Sequence, residues 1–298
     1  MADTHPQHRL GIVLVLAAAV AWSTAPLFTR LLPFDSWTIL FWRGLFGGGL
    51  IAAIMVLTQG RAGLRDLAGI GGNGWVVASL STLGMVTFIP ALQLTSVSNV
   101  AIIIATGPFV AAALAWLWLR EAARWQTMLA SLVAFCGVAI IVDNMRAGSD
   151  LLGLALACFM TAVIAAMTVV IRRHRNTPMV AAAALSNFLG CIVSIPFAHG
   201  ITTVTAANLV ILAMFGFFQV ALGLTLYMLG SRLLPSGQAS LIATLETPLM
   251  PFWVWLAFQE TPTPRALLGG ALVIGAVIAD IVGGSRHAAT EPRRSTRP

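Results

Sequence analysis

Ala91-Leu92-Gln93-Leu94-Thr95-Ser96-Val97-Ser98-Asn99, continuing through Gly107-Pro108 to Trp118-Leu119-Arg120-Glu121, has a second version further along the chain. That version reads Leu229-Gly230-Ser231-Arg232-Leu233-Leu234-Pro235-Ser236-Gly237, continues through Thr247-Pro248 and ends at Phe258-Gln259-Glu260. Ser96 matches Ser236 and Pro108 matches Pro248, both at an offset of 140. Glu121 and Glu260 match after one deletion, and Gly137 and Gly275 follow in the next segment of each copy. One shared proline would carry little weight. The ordered set Ser, Pro, Glu, Gly marks an internal duplication.

Outward from this repeat, the chain divides into ten apolar runs with short polar breaks: 10–32, 37–58, 75–95, 98–119, 125–143, 151–171, 179–199, 207–231, 236–258 and 264–283. Each is close to the ~20 residues that a helix needs to cross a bilayer. Hydrophobic residues make up 58% of the 298 and charged residues 9%, against roughly 45–50% and 25% in soluble domains. So little charge cannot cover a soluble surface, whereas lipid asks for none. The basic residues are all arginine, which excludes a standard P-loop, whose Lys holds the phosphates. Cys136, Cys158 and Cys191 lie in apolar runs without metal-ligand spacing and are expected to be small core residues without a disulfide. Ala19-Val20-Ala21 resembles a signal-peptidase site, but the run Leu10–Leu32 continues too far past it, so a retained first helix is expected.

The arginines test the topology. With a cytoplasmic N-terminus, thirteen face the cytoplasm: Arg9, Arg61, Arg65, Arg120, Arg124, Arg172, Arg173, Arg175, Arg232, Arg286, Arg293, Arg294 and Arg297. Arg30, Arg146 and Arg265 face the other side, and Arg43 lies within a span. This is the positive-inside bias, and it places both termini in the cytoplasm. The basic balance therefore reports topology, not a nucleic-acid partner. Trp37, Trp75, Trp116, Trp118, Trp125, Trp253 and Trp255 fall near span ends, where indoles favour the headgroup region.

Each half holds five spans. Five is odd, so the second half runs through the membrane inverted, an arrangement that recurs in secondary transporters with the site between the halves. The expected fold is an all-α membrane protein of ten transmembrane helices, built as two inverted five-helix repeats around a central cavity. The first repeat is 1–147, the second 148–284, and 285–298 is a disordered cytoplasmic tail.

The pattern Ala91-Leu92 to Thr95-Ser96, the mid-helix Pro108, the helix-terminal Glu121, their counterparts Pro248 and Glu260, and Arg43-Gly44 in span two resemble the EamA-type family of the drug/metabolite transporter superfamily. The resemblance covers nearly the whole chain. It implies ten helices around a central cavity and metabolite transport, most often export. Among branches the pattern looks closest to exporters of amino acids, including aromatic ones.

Candidate site residues follow from the cost of polar groups in lipid. Pro108 and Pro248 each remove a backbone donor near the middle of a span and free a carbonyl. Such prolines either kink a helix or line a polar cavity, and their symmetric placement favours the cavity. Glu246 is a midspan carboxylate, which marks a pathway, a proton relay or an ion pair. Its expected partner is Arg43, roughly 9 Å deep from one face while Glu246 lies about 15 Å from the other at 1.5 Å per residue. Trp22, Ser23, Thr24, Asn99, Thr106, Gln219, Tyr227 and Thr244 complete the candidate substrate-binding set. Singly, each Ser or Thr is as readily a backbone partner within its own helix. Gly216, Gly223 and Gly230, seven residues apart, and Gly44 with Gly48 form small-residue seams for close helix contact.

An intramembrane enzyme would need paired aspartates, a Ser–His pair or an HExxH helix. None is present, and Asp143 and Asp280 fall on opposite faces. A channel would need charged rings or a filter loop. The expectation is a secondary transporter of the bacterial inner membrane, working by alternating access, with broad amino acid specificity and export as its direction. Exporters of other metabolites or drugs are the alternative. No catalytic residue, metal or cofactor is expected. Amino acids and the bilayer are the expected partners, and the oligomeric state stays open, with a monomer among the options.

Overall fold

The computed structural model describes residues 4–119, 149–174, 178–233, 242–243, 245–264 and 267–272, with single positions at 129, 132, 133, 136, 274, 275, 278 and 279. These residues are all-helical: α1 Thr4–Ser23, α2 Ala25–Leu31, α3 Ser36–Gln59, α4 Arg61–Ala68, α5 Gly71–Leu94, α6 Val97–Ala105, α7 Gly107–Leu119, α8 Ser149–Arg173, α9 Met179–Ser194 and α10 Ala206–Phe215. A π-helical segment, Gly216–Leu222, joins α10 to α11, Gly223–Ser231, and α12 spans Glu246–Phe258.

Among the described residues, six stretches are long and apolar enough to cross a membrane: Gln7–Leu31, Ser36–Gln59, Gly71–Leu94, Val97–Trp118, Asp150–Ile171 and Ala206–Ser231. The apolar α9 is shorter. Expected span five (125–143) and parts of spans nine and ten fall mostly outside the described residues. The count of ten remains an expectation.

These helices are apolar all round, so burial cannot tell inside from outside by polarity. Leu57 is 85% exposed, Leu117 67% and Ile192 60%. In water such side chains would drive aggregation; here they face lipid. Helices with no polar outer face associate through close packing instead, and the glycine seams supply it. A Cβ on Gly44 would lie 2.6 Å from the Asn187 carbonyl oxygen of α9, and one on Gly47 would lie 2.8 Å from Val220 of the π segment. Gly216 meets the backbone of Gly47, Gly223 meets the Trp22 indole, and Gly230 meets Leu14 and Val15 of α1. The seams foreseen from spacing are contact surfaces: α3 against α9 and the π segment, α1 against α11. Phe28, Leu40, Ile89, Leu92, Phe215 and Met250 form the central packing where α2, α3, α5, α10 and α12 meet.

Chain ends that the arginine pattern puts on one side of the membrane touch one another. The Gly200 amide donates to Thr38 Oγ1 at 3.0 Å, Gln93 Nε2 donates to the Phe34 carbonyl at 3.0 Å, and Ser36 Oγ donates to Gln93 Oε1. On the other side, Asn73 Nδ2 and His174 Nδ1 are 3.2 Å apart. Asp35 caps α3, its Oδ1 accepting from the Trp37 and Thr38 amides at 3.0 Å and its Oδ2 from Thr38 Oγ1 at 2.6 Å. Partial burial would raise the Asp35 pKa, but the Thr38 hydroxyl and these amides outweigh it and hold the carboxyl below its ordinary value. The three cysteines are free thiols; Cys191 is buried as expected, but Cys136 and Cys158 are exposed, because an apolar run in lipid need not point inward.

Candidate functional site

Three of the helical spans are interrupted beside a proline. Thr24 (φ −76°, ψ −8°) divides α1 from α2 two residues before Pro26. Thr106 (φ −78°, ψ −9°) divides α6 from α7 two residues before Pro108. Leu245 (φ −63°, ψ −18°) precedes α12, three residues before Pro248. Each break residue keeps right-handed helical dihedrals, but its amide bonds the carbonyl three residues back, a tighter turn at which the α-helical ladder loses its register. Proline supplies no amide to the carbonyl four residues back, which leaves those of Trp22 and Ile104 without that bond, and hydroxyls at the breaks bond neighbouring carbonyls of the same turn. Ser23 Oγ donates to the Val20 carbonyl at 2.8 Å, Thr24 Oγ1 to Ala21 at 2.6 Å and Thr106 Oγ1 to Ile103 at 2.7 Å. The breaks at Pro108 and Pro248 answer the sequence reading. The break at Pro26 was missed, although Thr24-Ala25-Pro26 carries the same signal as Thr106-Gly107-Pro108. Helix α12 packs against α1, α2 and α6, so the interrupted spans are neighbours.

A fourth irregularity is the π segment, which is rare in helices and frequent at functional sites. At its centre Gln219 Oε1 accepts from Arg43 Nε at 3.1 Å and from Arg43 Nη2 at 2.5 Å. Arg43 Nη1 reaches Met85 Sδ at 3.4 Å, and its Cζ lies 5.2 Å from the centroid of the Phe215 ring. The side chain is 4% exposed. An Arg in a span costs about 2.5–3.5 kcal/mol on insertion scales, and hydrogen bonds from a charged donor return roughly 1.5–3 kcal/mol each. The expected partnership with Glu246 is not formed: among the described residues Arg43 binds Gln219, Met85 and Phe215. Depth along a span says nothing about which helices are neighbours, and α3 packs against the π segment.

From Gln219 a stripe runs down span eight at helical spacing. Gly223 bears on the Trp22 indole, and the Tyr227 ring lies 5.1 Å from that of Trp22. Next to Trp22, Ser23 Oγ accepts a hydrogen bond from Trp253 Nε1 at 2.8 Å. The structure thus gathers Arg43, Gln219, Trp22, Ser23 and Tyr227, five of the residues singled out from sequence, and adds Trp253 and Met85. Trp253, half-buried, adds an indole donor that its position near a span end did not suggest.

The other candidates make no hydrogen bond or ring contact with that group among the described residues. Asn99 sits in the first turn of α6 and donates from Nδ2 to Thr95 Oγ1 at 3.3 Å, a local contact. Thr106 is buried, with its hydroxyl spent on its own helix. Pro108 and Pro248 are exposed. Glu246 is the first residue of α12 rather than the middle of a continuous helix. A carboxylate there suits the positive end of the helix dipole. No ion pair involving it occurs among the described residues, where Arg30–Glu260 at 3.4 Å is the bridge formed. Thr244 lies outside the described residues. No group of His, Cys, Asp or Glu among them could hold a metal.

The sequence pattern of the EamA-like transporter family matches residues 9–143 and again 151–279. The chain belongs to the EamA-like transporter family. It is a multi-pass membrane protein of two-repeat architecture. A search of curated proteins finds no match. A solved structure, described only as "Crystal structure of protein", superposes with a TM-score of 0.67 at 17% identity, over 93% of this chain and 98% of that one. At that identity it shows the shared fold alone.

In an EamA-like transporter, interrupted spans serve an evident end. Continuous helices hide every backbone group, whereas a break leaves polar groups at mid-membrane depth that only protein, water or a substrate can satisfy.

Proposed function

We propose that this EamA-like transporter is a secondary transporter that moves amino acids of several kinds, with export from the cytoplasm as its direction. It works by alternating access in the bacterial inner membrane, with both termini cytoplasmic. The ten spans form two inverted five-helix repeats, 1–147 and 148–284, around a cavity. The observation that carries this reading is the cluster of interrupted spans beside a buried Arg43–Gln219 pair. Dipolar substrates need fixed polar groups inside the bilayer, and helix ends provide them. Trp22, Tyr227 and Trp253 supply apolar and aromatic surface beside those groups, which leaves the side chain of the substrate loosely specified. Breadth follows, because tight discrimination needs several matched buried hydrogen bonds.

The test is counterflow in proteoliposomes with a panel of amino acids. Saturable exchange of several of them is the expected result, and failure to exchange any would sink the amino acid reading. Reporter fusions at both termini check the orientation.

One observation favours a second reading, export of apolar compounds. A cavity of about 450 Å³ lies between α6, α12 and residues 267–274, lined among others by Ile102, Thr247, Pro248, Pro251, Phe252 and Trp255. Its size and apolar walls fit a drug-sized molecule. Uptake of a lipophilic dye that amino acids do not inhibit would favour it.

A further inference from the structure

Arg43 is buried inside a membrane span, and everything the structure places against its guanidinium is uncharged. Gln219 Oε1 accepts from Nε and Nη2, Met85 Sδ receives Nη1, and the Phe215 ring lies against Cζ. Arginine does not shed its proton in proteins, so a full positive charge stands at this point without a carboxylate among the described residues. A thioether is a weak acceptor, and one amide oxygen fills the edge at which a carboxylate would place two. The acceptor is carried on a π segment, whose altered register turns Gln219 toward α3. Trp42, the preceding residue of α3, also holds a buried indole N–H without an acceptor among the described residues.

We infer that Arg43 is the receptor for the carboxylate group of the transported substrate, and that Gln219 occupies its binding edge when substrate is absent. The inference rests on the transporter reading and names the group by which its substrate is held, a carboxylate. It also assigns Arg43 a task different from pairing with Glu246. One turn along span eight, about 6 Å at 1.5 Å per residue, Trp22 packs on Gly223. That is within reach of the side chain of an amino acid anchored at Arg43.

The experiment uses the full chain purified in detergent, with thermal stabilisation as the binding readout, and the same protein in proteoliposomes for counterflow. Phenylalanine is compared with phenylalaninamide, which keeps size and ammonium but lacks the carboxylate; phenylacetate, succinate and lactate extend the probe set. The expected result is a preference for carboxylate over carboxamide of roughly ten-fold or more. Arg43→Gln should erase that preference, and Arg43→Lys should keep part of it. Because Arg43→Gln alone could act through folding, Gln219→Glu is the second variant. It gives Arg43 a resident carboxylate, so it should raise the melting temperature while weakening carboxylate binding about ten-fold or more. A purely structural Arg43 would show the stability gain with binding unchanged. If phenylalanine fails but another carboxylate binds and Gln219→Glu blocks it, the amino acid reading falls and this inference stands. The inference is overturned by equal handling of carboxylate and carboxamide, by undiminished binding in Gln219→Glu, or by stabilisation from no carboxylate in the set.

Discussion

At the repeat offset of 140, Thr106 of the first half corresponds to Glu246 of the second. Both stand two residues before a proline, and both flank a helix break. The backbone device is the same, but the side chains use it differently. Thr106 is buried and returns its hydroxyl to the Ile103 carbonyl, closing the break on itself. Glu246 begins its helix with no ion-pair partner among the described residues. Duplication has kept the interruption and let the chemistry diverge. The halves are alike in how they bend and unlike in the side chain set at the bend.

The sharpest way to break this comparison is to exchange the chemistry while leaving the backbone alone. Glu246→Gln keeps shape and hydrogen bonding but removes the charge. It should fold, bind substrate and lose gradient-driven transport by roughly an order of magnitude, as a functional intramembrane carboxylate requires. Thr106→Val should change transport by less than about two-fold, since the loss is one local hydrogen bond. Flux driven by a pH gradient, measured beside the melting temperature, separates the two. Normal pH-driven flux in a stable Glu246→Gln protein would eliminate a coupling role. Because Arg43 already binds Gln219, Glu246→Gln should not strand it. The double variant with Arg43→Gln should therefore show additive losses of stability, and a rescue would restore the pairing that the structure does not form.

Next come the prolines. Pro108→Ala and Pro248→Ala restore an amide to the ladder and allow a continuous helix. Both prolines lie in a first turn, where proline is tolerated, so each change should move stability by no more than about 1 kcal/mol. Transport should fall in both variants if both breaks line the pathway. A loss confined to Pro248→Ala would confine the working break to the second half.

Much of this was legible beforehand, for identifiable reasons. Spans show through composition because lipid forbids charge, and the glycine seams show because close approach needs a missing Cβ. Pro108 and Pro248 announce their breaks because proline acts on its own backbone. Pro26 does the same and was passed over as the end of an ordinary first span. Arg43 stands out in the sequence as a charge within a span, yet its partner could not be read. Pairing across helices depends on which faces meet, and uniformly apolar helices carry no pattern that orients them. The π segment itself could not be read: Gly216 stands out for close packing and Gln219 for its polarity, but neither marks a change of helical register.

A smaller effect is expected at the helix caps. Asp35→Ala should cost about 0.5–2 kcal/mol, the usual range for a lost N-cap, and Ser96→Ala less, since Ser96 Oγ accepts one amide, that of Asn99, at 3.3 Å. The Asp35 carboxyl is held below its ordinary value in the folded protein. Its contribution is therefore complete above the unfolded pKa of about 3.9 and is lost as pH falls through the lower folded value. Asp35→Asn keeps a capping oxygen without the charge. Relative to wild type, its melting temperature should be lower at neutral pH and converge on it in acid; parallel curves would remove the charge from the explanation. If the duplication extends to caps, Ser236→Ala should cost as much as Ser96→Ala.

The smallest effect concerns the glutamates that close each copy. Glu260 meets Arg30 at 3.4 Å, tying the end of α2 to the end of α12, and both side chains are partly exposed, at 28% and 44%. Attraction at such a site is screened by water and salt, and exposed pairs of this kind contribute about 0.2–1 kcal/mol at most. Glu260→Gln should thus lower the melting temperature barely, and added salt should shrink the difference further. The link joins span one to span nine on one side of the membrane, where alternating access would require them to part. A weak bond suits that position: it can hold a closed state without trapping it. Glu260→Gln should therefore speed counterflow more visibly than it alters stability. If a double-mutant cycle with Arg30→Gln gives a coupling well above 1 kcal/mol, the pair is a structural clamp. The second half would then carry its stabilising charge at Glu260, beside a Glu246 that has no ion-pair partner among the described residues.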